Sequence, residues 1–422
     1  MKEEYLHFIW RQKLLSKYQL FTQNKKSLTI IDPGQWNSNS GPDFLEAKIK
    51  IDETIWVGHV EIHINASDWF AHHHEDDPNY DTVILHVVLN HNCDVYSPDN
   101  RPIPVLQVDQ YIDEYTFKIY QNFQRNQLWI PCQNEIKNID SFHLSHWLER
   151  LFIERLESKS KLIHQLLIQE NYNFEYVFFI SLARSFGLKN NADSFLELAL
   201  SVDFLWIQKL NSDRFRLEAL LFGLAGFLEV AQDEPYQNEL RLEYQFLKHK
   251  FKIETFSFPK FQFFRMRPQS FPTLRIAQLA GLYASKQNLF SNLMHAKSFK
   301  EVKSILQYPI SDFWRTHFTF STKSKESDRR LSNHLIQLFV LNTILPMKLA
   351  YLEYSKKPFS EELFEMVREM ASEKNNLITN FHNVGVVARD ALESQALIEL
   401  KNNYCAKKRC LQCAIGVKLL KR

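Results

Sequence analysis

Glycine and proline are scarce, with 9 and 14 in 422 residues. That excludes collagen-like and low-complexity chains and argues against a turn-rich β architecture over most of the length. Long apolar runs are missing as well. The longest, Ala219 to Leu228, is about half a membrane span, so neither a transmembrane helix nor a membrane partner is expected. The opening MKEEYLHFIW carries no apolar signal segment, which predicts a cytoplasmic protein. Cysteine numbers only five, and in that compartment no structural disulfide is expected. The glycine-rich phosphate loops and the serine nucleophile elbow are absent from the sequence.

What remains is 45% hydrophobic and 24% charged, enough core and surface for two or three globular domains. The net charge of +2 conceals a split. Residues 1–140 hold 12 Lys and Arg against 20 Asp and Glu, leaving 39 against 29 for the rest. The last 22 residues hold seven basic residues and no acid, and eight of the 16 histidines precede residue 92. An acidic, His-rich head before a basic body predicts a cation site beside an anion-binding surface.

Periodicity predicts an α+β protein: a mixed α/β domain over 1–138 and a larger, mostly α-helical domain over 139–422. In the head, helical spacing runs over 4–15. Strands are expected at 28–31, 44–51, 55–64, 83–89 and 103–108, with a short helix at 69–74. Along 55–64, Val57, His59, Glu61 and His63 share one face. The body shows helical spacing at 141–168, 174–186, 192–204, 213–231, 273–284, 329–345, 359–371 and 387–404. The Phe-rich stretch 251–272, with three prolines, reads as a linker within it.

The head carries the chemistry. Asp43, after Gly41-Pro42, and Glu61 fall on adjacent strands, where two carboxylates can converge on a hard cation such as Mg²⁺ or Mn²⁺. His63, two residues on, shares the Glu61 face and can orient or deprotonate an attacking water. His59, His63, His72, His73, His74 and His86 offer an alternative, a transition-metal site of imidazoles and one carboxylate with His59, His72 and His74 as ligands. At the other end, Cys405-x4-Cys410-x2-Cys413, with Cys132 as fourth ligand, could hold zinc or an iron–sulfur cluster. Lys407, Lys408 and Arg409 inside that loop should lower the thiol pKa values. In the body, Arg265, Arg267 and Arg275 around a helix start capped by Ser270, and Arg329 with Arg330, are candidate phosphate contacts, although such arginines are also ordinary surface tethers.

The order helix, three strands, helix, strand, with Pro42-Asp43 opening the second strand and Glu61-Ile62-His63 on the third, resembles the PD-(D/E)XK nuclease core. The resemblance implies a restriction-endonuclease-like fold, with Asp43 and Glu61 as metal ligands and the Ile62 carbonyl able to serve as a third. Glu4 would be the accessory acid, and His63 stands where that family usually has lysine. Across the whole chain, GPDFLEAKI, VEIH, VILHVV, LEALLFGLAGFLE, FPTLRIAQLA and NTILPMKLAY resemble a bacterial family catalogued as domain of unknown function 2851. That likeness implies no activity. Three functions are therefore expected in turn: a metal-dependent nuclease acting on DNA or RNA; a non-catalytic nucleic-acid or protein-binding module on a degenerate nuclease scaffold; and a zinc-dependent hydrolase or structural zinc protein.

Overall fold

The computed structural model describes residues 1–230, 233–254, 258–358 and 361–421. The end of the expected helix at 213–231, the start of that at 359–371 and residues 255–257 of the Phe-rich stretch lie outside these residues. The chain divides into two units, Met1–Leu144 with Lys401–Arg422, and Ser145–Leu400. The expected division at 138/139 thus misses the C-terminal segment, which returns to the head. The charge split changes with it. The tail's seven basic residues join the head's 12 against its 20 acids, so the first unit is nearly neutral. The positive charge of the tail sits in the unit that also holds the acidic strands.

The first unit is built on a mixed seven-stranded sheet. Its strands are β1 (Leu20–Phe21), β2 (Ser27–Asp32), β3 (Gln35–Trp36), β4 (Phe44–Ile51), β5 (Thr54–Asn65), β6 (Val83–Asn90) and β7 (Val105–Gln107). The order is β1-β2-β4-β5-β6-β7, with β3 pairing β4. Strands β2, β4 and β5 are antiparallel, while β5, β6 and β7 run parallel. A two-residue turn at Asp52-Glu53 joins β4 to β5, and Asp52 takes a φ of 49° there. The parallel step from β5 to β6 needs a crossover, supplied by α2 (Asp68–Ala71) and the loop that follows it. Strand β6 is buried over Val83–Val88, as a central parallel strand covered on both faces should be.

Helix α1 (Glu3–Arg11) packs Tyr5, Leu6, Phe8, Ile9 and Trp10 into the core. Acidic Glu3 and Glu4 at its start and Arg11 at its end suit the helix dipole. The helix is shorter than expected, because Lys13 turns left-handed at φ 51° before a 3₁₀ turn. A second long helix, α3 (Glu114–Arg125), precedes the Cys132 loop.

Two glycines set the geometry around the candidate site. At Gly58 an added Cβ would stand 2.5 Å from the Thr82 carbonyl oxygen, so β6 can lie this close only beside a glycine. Gly34 has φ +84°, and a Cβ there would lie 2.4 Å from the Leu45 carbonyl oxygen. Gly34→Ala is expected to cost about 1–3 kcal/mol, from combined backbone strain and overpacking. Urea denaturation of the variant beside the wild type measures it.

The second unit is mostly helical. Helices Phe174–Phe186, Ala192–Leu200, Arg214–Leu224, Pro272–Ser285 and Ala391–Glu399 lie where periodicity placed them, as does Ser141–Gln169, which belongs to this unit from Ser145 on. Helix Pro235–Phe251 was not expected from the spacing. The helical run Asn333–Tyr354 is long and apolar enough to cross a membrane, and 72% of its most apolar window is buried within the fold, as in a core helix.

Candidate metal centre

The centre forms where α1, the end of β5 and the crossover after α2 meet. Asp43 and Glu61 are cross-bonded through the backbone of the β4–β5 pair. The Asp43 N–H donates to Glu61 Oε2 at 3.0 Å, and the Ile62 N–H donates to Asp43 Oδ2 at 3.0 Å. Both carboxylates are thereby fixed on adjacent strands. The other oxygen of Glu61, Oε1, lies 3.4 Å from His63 Nε2 and 3.3 Å from His74 Nε2. His63 Nε2 is in turn 3.2 Å from His72 Nδ1. The ligand atoms of His63, His72 and His74 all lie within 4.8 Å of one another.

The Glu61–His63, Glu61–His74 and His63–His72 spacings are those of neighbouring ligands around one ion. Bonds of about 2.0–2.1 Å in a tetrahedron place neighbouring ligand atoms about 3.3–3.4 Å apart. A second feature points the same way. His74 Nε2 is buried and has no hydrogen-bond partner, although Glu61 Oε1 is 3.3 Å away. Two polar atoms that close without hydrogen-bond geometry suit lone pairs aimed at a common centre. The outer shell is present as well: His63 Nδ1 meets His86 Nε2 at 2.9 Å, which orients the His63 ring. Beneath, Trp69 stacks edge-on to His74, and Tyr80 lies face to face with it at 3.8 Å between centroids. His72 is exposed, so the centre opens to solvent on that side.

The imidazoles carry the protonation state a cation needs. Burial, reinforced by the neighbouring imidazoles His74 and His72, pushes His63 down to about 4. Burial lowers His74, and it lowers His86 further. These rings are neutral at pH 7, the form that ligates. Burial raises the Glu61 carboxyl, and the Asp43 charge adds to the effect. A cation would reverse that shift by supplying the missing positive charge.

Several expected residues fall elsewhere. His59 shares the Glu61 face by alternation, but its Nδ1 accepts from the Glu46 N–H at 3.2 Å. Glu46 has φ 56° in the irregular register between Phe44 and Ala47, and the β5–β6 register shifts between His59 and Val60. His63 lies among Glu61, His72 and His86, within 3.4 Å of each. On α1 the groups facing the centre are Glu3 and His7, one turn apart. His7 Nε2 is 3.2 Å from Asp43 Oδ2 and 3.8 Å from Glu3 Oε1. Glu4 points instead into a neighbouring cavity. Burial works against a charged His7, but the adjacent Asp43 outweighs it and raises its pKa. The only advance sign of His7 was its i,i+4 spacing from Glu3.

The four cysteines lie in the same unit, reduced. Their segments are stitched together by Gln124 Nε2 donating to the Lys408 carbonyl at 3.1 Å and by Lys401 Nζ donating to the Trp129 carbonyl. The thiol pKa values move opposite to expectation. Burial raises Cys132, Cys405 and Cys410, the last to about 12, and the neighbouring thiols add to it. Lys401 and Lys408 oppose the rise without overcoming it.

In the second unit, Arg275 and Arg329 are buried, which removes them as phosphate contacts. Arg275 donates to Gln278 Oε1 at 2.7 Å, and Arg329 lies over the Phe318 ring at 3.7 Å. Arg330 pairs with Asp328 at 2.9 Å, while Arg265 and Arg267 are exposed. The helix start near them has Phe271, not Ser270, at its cap position.

The molecule is thus an α+β protein with a carboxylate–imidazole centre at one end of a mixed sheet. The chain belongs to the family described as Protein of unknown function (DUF2851), whose model matches residues 3–376. No curated protein and no solved structure matches it.

Proposed function

We propose that this protein is a metal-dependent hydrolase that cuts phosphodiester bonds in nucleic acid. The observation that carries the reading is the cluster of His63, His72 and His74 ring nitrogens beside Asp43, with Glu61 Oε1 3.4 Å from His63 Nε2 and 3.3 Å from His74 Nε2. The helix–strand order around Asp43 and Glu61, with the resemblance to the PD-(D/E)XK core, supports phosphodiesters as the substrate. Three imidazoles favour Zn²⁺ or a similar transition ion over Mg²⁺, which prefers oxygen ligands and water. Such a cation would polarise a phosphoryl oxygen and lower the pKa of an attacking water. Asp43 holds His7 toward its charged form, placing a proton donor beside the reacting group.

Elemental analysis of the purified chain should find about one transition ion per molecule. Cleavage of labelled DNA or RNA should stop after chelation and return with Zn²⁺ or Mn²⁺. Metal-free protein that gains no cation and cuts no nucleic acid under any of these ions would sink the proposal. His86→Leu, which removes the group orienting His63, should weaken metal affinity about 10–100-fold while leaving the fold intact. Competition against a chromogenic chelator reads that loss.

A further inference from the structure

A cavity of about 160 Å³ opens beside the centre, entirely within the first unit. His7 lines it and also pairs with Asp43, so cavity and centre share a wall. Lys2 and Arg11 from the N-terminal segment line it, as do Lys407, Lys408 and Arg409 from the loop between Cys405 and Cys410. The carboxylate among the lining groups is Glu4. Five cations against one carboxylate make this a site for an anion. Lys407 and Arg409 are exposed and reach solvent, whereas Lys408 Nζ is tied to the Asn126 carbonyl at 3.2 Å. The loop is therefore anchored, and its flanking cations make solvent-exposed hydrogen bonds, Lys407 Nζ with Asn403 Oδ1 at 2.8 Å and Arg409 Nε with Gln412 Oε1 at 2.6 Å, which leave them other N–H groups for a phosphate.

The same cavity carries an aromatic platform. Trp36, on the short strand β3, is 42% exposed, and the Arg11 guanidinium sits over its ring at 5.5 Å. Exposed tryptophan beside arginine, with lysines alongside, is the combination that stacks an unpaired base and follows the phosphates next to it. A paired base keeps both faces inside the duplex and cannot use this platform.

We infer that the cavity seats a single-stranded segment of nucleic acid, with a base against Trp36 and adjacent phosphates on Lys407 and Arg409, leading the strand to the centre at His7. The inference rests on the nuclease reading for its direction, but it concerns binding and is tested without cleavage.

The experiment is fluorescence anisotropy on the full chain in chelator, using a labelled single-stranded oligonucleotide and the corresponding duplex. The single strand should bind at least about tenfold more tightly. Trp36→Ala should weaken single-strand binding about tenfold, and Trp36→Phe should restore most of it. Lys407→Ala with Arg409→Ala should lower the slope of log K against log salt by about 1.4, at about 0.7 for each lost phosphate contact. Equal affinity for duplex, or wild-type affinity and salt slope in the variants, would overturn the inference. Circular dichroism of each variant confirms the fold. Single-strand binding without any metal-dependent cleavage would leave the cavity standing and remove only the nuclease reading. Cleavage that the cavity variants do not alter, with unchanged binding, would do the reverse.

Discussion

Glu61→Gln should lower metal-dependent cleavage by at least about a thousandfold while leaving the metal-free fold unchanged. The size follows from removing one charged ligand of a cation that supplies several kcal/mol to the transition state, since about 4 kcal/mol is a factor of a thousand. The neutrality follows from the environment. Burial and the Asp43 charge already raise the Glu61 carboxyl toward its protonated form without a cation. A glutamine amide has nearly the same shape and no charge. Its oxygen can still accept the Asp43 N–H that Glu61 Oε2 accepts at 3.0 Å. Thermal unfolding in chelator should therefore be the same for variant and wild type, and only the metal-loaded proteins should differ. Asp43→Asn should match the loss of activity and also lower the His7 pKa, because it removes the carboxylate 3.2 Å from His7 Nε2. That second effect shows in the histidine NMR titration. Cleavage within tenfold of wild type in either variant would remove these carboxylates from the chemistry.

The parts of this centre that the sequence revealed are those governed by strand alternation. Glu61 and His63 on one face, and Asp43 on the neighbouring strand, follow from the two-residue period and the short turn at Asp52-Glu53. His59 did not follow, because irregular pairing at Glu46 and at His59/Val60 breaks the alternation that the expectation assumed. On α1 the helical period places both Glu3 and Glu4 beside His7, at i,i+4 and i,i+3. It cannot show which face meets the sheet. That depends on Leu6, Phe8 and Trp10 packing inward, a tertiary fact. The return of the tail is another such fact. Residues 401–421 read as a basic end of the helical body, yet Lys401 and Lys408 bond to backbone carbonyls near Cys132 in the first unit. The separation of charge along the chain therefore became a juxtaposition of charge in space.

The largest effect on stability is expected from Trp314→Ala in the second unit. Trp314 is fully buried, stacked on Phe222 at 5.3 Å and close to Phe320 at 5.2 Å between centroids. Its indole N–H donates to Glu218 Oε2 at 2.9 Å, and the Tyr236 hydroxyl donates to the same oxygen at 2.7 Å. Glu218 is completely buried, and burial raises its pKa. Alanine would leave a cavity worth about 3–5 kcal/mol and take one of the donors from a buried carboxyl, worth about 1–3 kcal/mol more. The sum, about 4–8 kcal/mol, is comparable to the whole stability of an ordinary domain. The variant should be largely unfolded at 37 °C by far-UV circular dichroism. Trp314→Phe separates the two contributions, since it keeps most of the ring volume and loses only the donor. It should cost about 1–3 kcal/mol by urea denaturation. A phenylalanine variant as unstable as the alanine variant would place the hydrogen bond to Glu218, and not the packing against Phe222, at the centre of this core.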